Sequence, residues 1–475
     1  MKIALIQVVY YEYLGVMYLS SSLKKHGHTV EAFIYRRGNT VKTFIEEIKR
    51  FKPDIAAFSC MTGSEEQLVS LARQLKNEMD VYTVFGGPHP TAVPEIIERE
   101  GVDCVCQGEA EQSLVAIADI LARGGIPATV PGAWFKINRE IVRNESGTPE
   151  QNLEKLPRPD RSLYREKYPS MRTQRAGFLL GRGCPYHCTF CASPSWQRLY
   201  HGKGNFVRQQ SVQAVIEEMR EVKAKYNIRT VYFFDDTFII NRDWVLEFCD
   251  AYRHEIGLPF SCNIRADLAT EELIAALARA NCKTTAFGVE TGNSENRKRL
   301  LKKDVSDEQI INCSELLRAH GIRFRTFNML GLPGETLDDA FQTIALNVKI
   351  KSDYPWCSLY QPLPGTELGE YCRKNGMFNS ECEAPQPSFF KGSSLELENR
   401  NEIVNLQKLF FFAVKFPRLQ SSIRRAIRLR PNAFFEFFFV LAHARNFYRL
   451  ELFSLQDMVN IGMRNVEGYL PRGRG

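Results

Sequence analysis

Three cysteines stand within eight residues in the stretch GRGCPYHCTFC, Gly181 to Cys191. They are Cys184, Cys188 and Cys191, with three and then two residues between them. Thiolates are soft ligands that suit iron–sulfur clusters or zinc. Structural zinc takes four ligands, usually as two close pairs. No fourth cysteine follows nearby, and His187 lies between two of the cysteines on a very short loop. Three thiolates on a four-iron cluster leave one iron open to a substrate. The bland alternative is three inert buried cysteines. The context argues otherwise. Ala176–Gly181 reads as a short buried strand, and the Cys loop follows its C-terminal end. That is where barrel active sites sit.

The CxxxCxxC spacing resembles the signature of the radical S-adenosylmethionine (SAM) enzymes. The resemblance implies a 4Fe-4S cluster on Cys184, Cys188 and Cys191, with the amino and carboxylate groups of SAM on the open iron. It implies that one electron breaks the sulfonium to give a 5′-deoxyadenosyl radical. Phe190 matches the family's apolar residue beside the adenine.

With 475 residues, two or three domains are expected. Residues 1–147 alternate strand and helix patterns: strands at Ile3–Val8, Val30–Tyr35, Ile55–Cys60, Tyr82–Gly87 and Cys104–Gln107, with helices between them, the fourth a short one over Pro94–Glu100, and Glu109–Ala122 closing the unit. This alternation predicts a doubly wound parallel, Rossmann- or flavodoxin-like sheet. Residues 148–170 are polar and Pro-rich and read as a linker. Residues 171–376 carry six strand–helix units, matching the partial (β/α)6 TIM-like barrel of the radical SAM family. Residues 377–475 read as helices, roughly Gln407–Phe416, Leu419–Leu429, Ala433–Phe447 and Leu452–Asn460. The third is aromatic and lies beside a basic stretch, Arg424–Arg430. A helical cap on the barrel is the expected role, and a membrane-surface helix the alternative. The tail Arg472–Gly475 is expected to be disordered.

Ligands of such sheets bind at the C-terminal strand ends. Three loops lie there: the one after the first strand, Ser59–Thr62, and Gly86–Thr91. Gly108 and Glu109 add a fourth contact point. The layout resembles the cobalamin-binding domain that precedes many radical SAM enzymes. Ser59 and Thr62 match its small hydroxyl motif, and Gly86-Gly87 its double glycine beside the nucleotide tail. Domains that ligate cobalt from below carry Asp-x-His-x-x-Gly after strand one. Here Tyr10 and Glu12 occupy the Asp and His places, so the lower histidine is absent. His89 is expected to serve as a hydrogen-bonding or packing residue.

At the barrel's strand ends, Asp235 and Asp236 stand where the family holds the SAM amino group, with N-capping as the plain alternative. Arg265 could pair with the SAM carboxylate or with Asp267. Glu290, in Gly288-Val-Glu-Thr-Gly292, matches the carboxylate that contacts the SAM ribose. Gly331–Thr336 resembles the adenine-side turn, and Gln361–Thr366 is expected on the substrate side.

Together these features resemble the cobalamin-dependent radical SAM class. The resemblance implies three cofactors: a 4Fe-4S cluster, S-adenosylmethionine and cobalamin. It implies methyl transfer to an unactivated carbon of a small molecule. Cyclisation or rearrangement is the nearest alternative, and methylthio transfer on a second cluster from Cys60, Cys104 and Cys106 another. A zinc-stabilised binding protein is the non-enzyme reading. Expected partners are the substrate and an electron donor such as flavodoxin or ferredoxin, with no nucleic acid. The N-terminus reads as a strand rather than a signal peptide, and no run of 18 apolar residues suggests a span. Thirteen cysteines without a secretion signal place the expected location in the cytoplasm. The net charge of +7 is mild and fits a solvated surface.

Overall fold

The structure is a computed structural model that describes all residues except 36–39, 169–170, 379–384, 386–387, 451, 454–456 and 458–475. The chain divides into two units. The first holds Met1–Arg172 and also Ser195–Arg208; the second holds Thr173–Pro194 and Gln209–Met458.

In the first unit, β1 (Lys2–Gln7), β2 (Thr29–Ile34), β3 (Ile55–Ser59), β4 (Tyr82–Gly86) and β5 (Cys104–Cys106) pair in parallel. Side chains alternate between sheet faces with a period of two. Ile3 and Leu5 enter one core with Leu23, Leu114 and Ile117. Ala4 and Ile6 enter the other with Phe44, Ile48 and Leu71. Both faces are therefore covered by helices, as a parallel sheet requires. The strand order is β2-β1-β3-β4-β5, so the winding reverses between β1 and β3. Ligands enter such sheets at this switch point.

Three features depart from expectation. Two antiparallel strands, β6 (Ala133–Ile137) and β7 (Glu140–Arg143), extend the sheet beyond β5. Their turn places Asn138 and Arg139 at φ of 49° and 72°. A two-residue hairpin needs both of its residues left-handed. Arginine is a poor signal for that conformation, which hid the hairpin. The short helix expected over Pro94–Glu100 is a 3-10 turn at Pro94–Glu98, preceded by a helix at Pro88–Ala92 inside the loop after β4. Leu163, Tyr164 and Tyr168, within the stretch read as a linker, pack into the sheet's core. The Tyr164 hydroxyl donates to Gln7 Oε1 at 2.5 Å, and the Tyr168 hydroxyl bonds Ala32 O and Ile34 N, each at 3.1 Å.

In the second unit six parallel strands follow chain order: Arg175–Phe178, Thr230–Phe233, Phe260–Asn263, Cys282–Glu290, Arg323–Leu330 and Tyr354–Leu359. The first and last are not paired, so the barrel is open. Its helices begin where side chains satisfy free N–H groups. Ser211 accepts from Ala214 N, and Ser306 forms a capping box with Gln309. The helix Arg400–Lys415 joins the last two strands in one core, with Leu406, Phe410 and Ala413 packing on Leu330, Cys357 and Leu359. This is the expected cap. The helices at Leu419–Leu429 and Ala433–Phe447 are seen as Gln420–Ala426 and Ala433–Leu450. Most of Leu452–Asn460, and the Arg472–Gly475 tail, lie outside the described residues.

Candidate active site

The Cys loop is held in place by backbone bonds. Thr189 N donates to Leu301 O at 3.0 Å, its hydroxyl to Leu300 O at 2.6 Å, and its carbonyl accepts from Leu368 N at 2.9 Å. Ser193 N donates to Cys191 Sγ at 3.4 Å, and the Ser193 hydroxyl to Cys184 O at 3.2 Å. Cys188 is buried, Cys184 half-buried and Cys191 exposed. Among the described residues no three His, Cys, Asp or Glu side chains close round a single ion. Three thiols on one short loop suit a cluster with one ligand left to an incoming molecule.

Polar residues of successive strand ends surround this loop. After the second strand, Asp235 accepts from Leu180 N at 3.1 Å and Gly181 N at 2.8 Å. Its carboxylate anchors the strand leading to the cysteines. Burial pushes Asp235 up to about 7 against those two N–H donors. Asp236 is exposed, and its charge acts on Cys184 and Cys191. Asp236 is thus the better-placed carboxylate for an incoming ammonium. Thr237, nearby, favours the Cys184 thiolate. After the third strand, Arg265 forks onto Asp267 with two bonds of 3.0 Å. It also lies 3.4 Å over the Tyr186 ring, and its charge favours the Cys188 thiolate. Burial pushes the Cys188 thiol up, while Lys303 and Arg265 pull it back.

After the fourth strand, Glu290 is buried and ion-paired with Lys303 at 2.8 Å. Its φ is +64°, at a register shift against the fifth strand. A non-glycine residue held there marks strain of the kind found at functional sites. Gly288 leaves the room: a Cβ there would collide with Glu290 Oε1 and Lys303 Nζ. Phe190 is partly buried against a cluster that includes Leu301, Leu332 and Tyr360.

In the first unit, the loops after β3, β4 and β5 are linked. The Thr62 hydroxyl bonds His89 Nδ1 at 3.2 Å, so this histidine is a hydrogen-bonding residue. Thr91 Oγ1 donates to Gly87 O at 2.8 Å and accepts from Gly108 N at 3.0 Å. Ser59 ends β3 half-buried. The two glycines differ. Gly87 has φ +106°, and a Cβ there would lie 2.9 Å from Cys60 O, so the backbone itself demands glycine. A Cβ at Gly86 would meet Cys106 only at ordinary contact distance, 3.8 Å, so a small side chain fits there without a clash. Glu12 pairs with the buried Arg165 at 3.4 Å, so a carboxylate in an ion pair stands where the lower histidine would be.

Several residues were not singled out beforehand. Tyr186, Thr237 and Lys303 join the cysteine site. In the first unit, Tyr200 accepts a hydrogen bond from Glu109 N at 2.6 Å, and Arg208 grips Glu109 with both nitrogens of its fork. Both belong to the excursion Ser195–Arg208, which follows the cysteines in the chain but packs in the first unit. Glu109 is consequently a tethered residue, and Gly108 lies under the Tyr200 ring. Nothing local to Tyr200 or Arg208 signals such partners.

The chain thus combines a doubly wound sheet with glycine-bearing loops at its C-terminal edge and an open barrel whose first loop carries three thiols among strand-end carboxylates and cations. Known proteins agree. The B12 binding domain family matches residues 4–118, and the Radical SAM superfamily matches residues 178–346. The chain carries, in that order, the two domains of the cobalamin-dependent radical SAM enzymes, whose cofactors are the 4Fe-4S cluster, S-adenosylmethionine and cobalamin. It is 29% identical over 371 residues to an uncharacterized methyltransferase of Pyrococcus horikoshii, covering 77% of this chain and 79% of that protein. It is 24% identical over 370 residues to the anaerobic magnesium-protoporphyrin IX monomethyl ester cyclase of Rubrivivax gelatinosus, covering 74% and 65%. The cobalamin-dependent SAM radical enzyme OxsB, solved with aqua-cobalamin and SAM, shares the fold at TM-score 0.70 and 17% identity, over 99% of this chain and 75% of that one.

Proposed function

We propose that the enzyme transfers a methyl group to an unactivated carbon of a small molecule. The observation that carries this is the pairing of a B12-binding sheet with a three-thiol barrel loop in one chain. When bound, the cluster, SAM and cobalamin supply the radical and the methyl group. The protein's part is placement and exclusion of water. Cys184, Cys188 and Cys191 would hold the cluster. Asp236 would receive the SAM ammonium, Arg265 its carboxylate and Glu290 its ribose, with Phe190 on the adenine side. Ser59, Thr62, Gly86, Gly87 and Gly108 line the cobalamin side, with Glu109 fixing the last loop. The likeness to a protein named as a methyltransferase supports this reading.

Cyclisation is the second reading, favoured by the likeness to an ester cyclase. Methylthio transfer has less support, because Cys104 and Cys106 are buried in one core of the first unit and Cys60 in the other. We place the reaction in the cytoplasm with a flavodoxin or ferredoxin as electron donor; a count of thirteen cysteines suits a reducing compartment. The test is anaerobic turnover with methyl-deuterated SAM and candidate metabolites. Methyl transfer yields 5′-deoxyadenosine and S-adenosylhomocysteine in comparable amounts, with label in the product. Deoxyadenosine alone, without label transfer, supports cyclisation or rearrangement and refutes the first reading.

A further inference from the structure

The helix Ala433–Leu450 has two apolar faces. Phe435 and Ala442 are buried in the core. On the other side Phe434, Phe437, Val440 and Leu441 are 59%, 63%, 42% and 50% exposed. At 100° per residue, Phe434, Phe437 and Leu441 fall within about 60° of one another. They form a stripe, unlike the single exposed apolar residues that are normal on a protein surface. Ring contacts extend it. Phe434 meets Phe438 edge-on at 4.7 Å, Phe438 meets Phe412 edge-on at 5.3 Å, and Phe412 stacks with Phe416 at 6.3 Å. Phe416 and Leu419 are again exposed.

The charge around this surface is predominantly positive. Residues 417–446 contain Arg418, Arg424, Arg425, Arg428, Arg430 and Arg445, all exposed, of which Arg424 is paired with Asp338 at 2.9 Å. Their one acidic residue, Glu436, is paired with Lys408 at 2.9 Å. Arg445 continues the line of the stripe, eleven residues from Phe434 and about 20° off it. Among the described residues no helix is long and apolar enough to cross a membrane. Phenylalanine and leucine on one face, beside arginine and with no span, are the composition of a helix that lies in a membrane interface.

A second copy of the chain fits this surface poorly. A two-fold contact sets a patch against itself, and here arginine would meet arginine. An anionic lipid surface complements both the charge and the apolar stripe. We propose that the face carrying Phe434, Phe437, Leu441 and the surrounding arginines docks the enzyme on anionic phospholipid bilayers as a non-spanning contact. The inference is independent of the reaction the enzyme performs.

Flotation of the full, anaerobically reconstituted chain with vesicles tests it. The protein should float with mixed phosphatidylglycerol–phosphatidylcholine vesicles and stay behind with pure phosphatidylcholine or in high salt. Phe437→Asp with Leu441→Asp should weaken partitioning at least about tenfold. Arg425→Glu and Arg428→Glu should weaken it roughly fivefold each or more. Iron and cobalamin contents should not change, which separates docking from misfolding; Phe437→Ser provides a milder variant. Absence of wild-type flotation overturns the proposal. So does a dimer in light scattering that Phe437→Asp dissolves, which would make the face a self-contact. Flotation insensitive to the apolar substitutions overturns it as well, because the arginines would then act as a plain polycation.

Discussion

Replacing Lys303 with methionine perturbs the Glu290 corner without touching a cysteine. Lys303 and Glu290 are each 9% exposed at the side chain and meet at 2.8 Å. The left-handed backbone of Glu290 costs about 1–2 kcal/mol on its own, so packing and the ion pair must hold it. Lys303→Met strands a buried carboxylate. Removing one partner of a buried pair costs about 3–5 kcal/mol, most of it the bare charge rather than the lost bond. At roughly 2 °C per kcal/mol for a unit of this size, Tm should fall by roughly 6–10 °C. Glu290→Gln added to Lys303→Met should recover much of the loss, a coupling of about 2 kcal/mol or more, because the stranded charge is then gone. Thermal unfolding followed by circular dichroism, on anaerobically reconstituted protein, measures both. The SAM dissociation constant should also rise at least about tenfold in Lys303→Met, or about 1.4 kcal/mol, with iron content unchanged. A Tm within about 2 °C of wild type, against the expected 3–5 kcal/mol, refutes the argument that this pair is buried and holds the carboxylate in place.

Single alanine substitutions at Cys184, Cys188 or Cys191 should each abolish a cluster of about four irons, read by iron and sulfide analysis. Gly86→Val should lower cobalamin uptake while leaving apo-protein Tm near wild type, because a Cβ at Gly86 meets Cys106 only at ordinary contact distance. Gly87→Ala should lower Tm itself, by about 1–3 kcal/mol of strain against Cys60; a reversal of the two effects would contradict the geometry. Arg208→Ala leaves Glu109 without its fork and should weaken cobalamin binding with iron content intact, measured by absorbance titration. For pH, Glu335 accepts Gly331 N and Leu332 N on one oxygen, and burial pushes it up from 4.5 to about 8. The fold favours its neutral form, so this stability is full below the unfolded value and is lost as pH rises towards 8. Glu335→Gln keeps the accepting oxygen and should flatten the decline of Tm over that window; an unchanged slope would remove Glu335 as its cause.

The alternation of apolar residues in β1, the thiol spacing of Cys184, Cys188 and Cys191, and the caps at Ser211 and Ser306 were legible because each is written within a few neighbouring residues. Backbone period and local hydrogen bonding then settle the element with little help from elsewhere. So the parallel sheet, the open barrel and the cysteine loop could be read directly from the order of residues. The partners of those residues could not. Glu109 meets Arg208 across 99 positions and Gln7 meets Tyr164 across 157, which drew a Pro-rich linker into a core and a post-cysteine segment into the first unit. Asp235 and Asp236 look alike in sequence, but folding buries one against Leu180 and Gly181 and leaves the other exposed near the thiols. Gly86 and Gly87 are likewise identical until the backbone of Cys60 arrives beside only the second. Pattern determines which element forms, because propensity and periodicity act over a few bonds. Which carboxylate is spent on structure and which stays accessible depends on long-range packing, and only the tertiary fold brings those groups together.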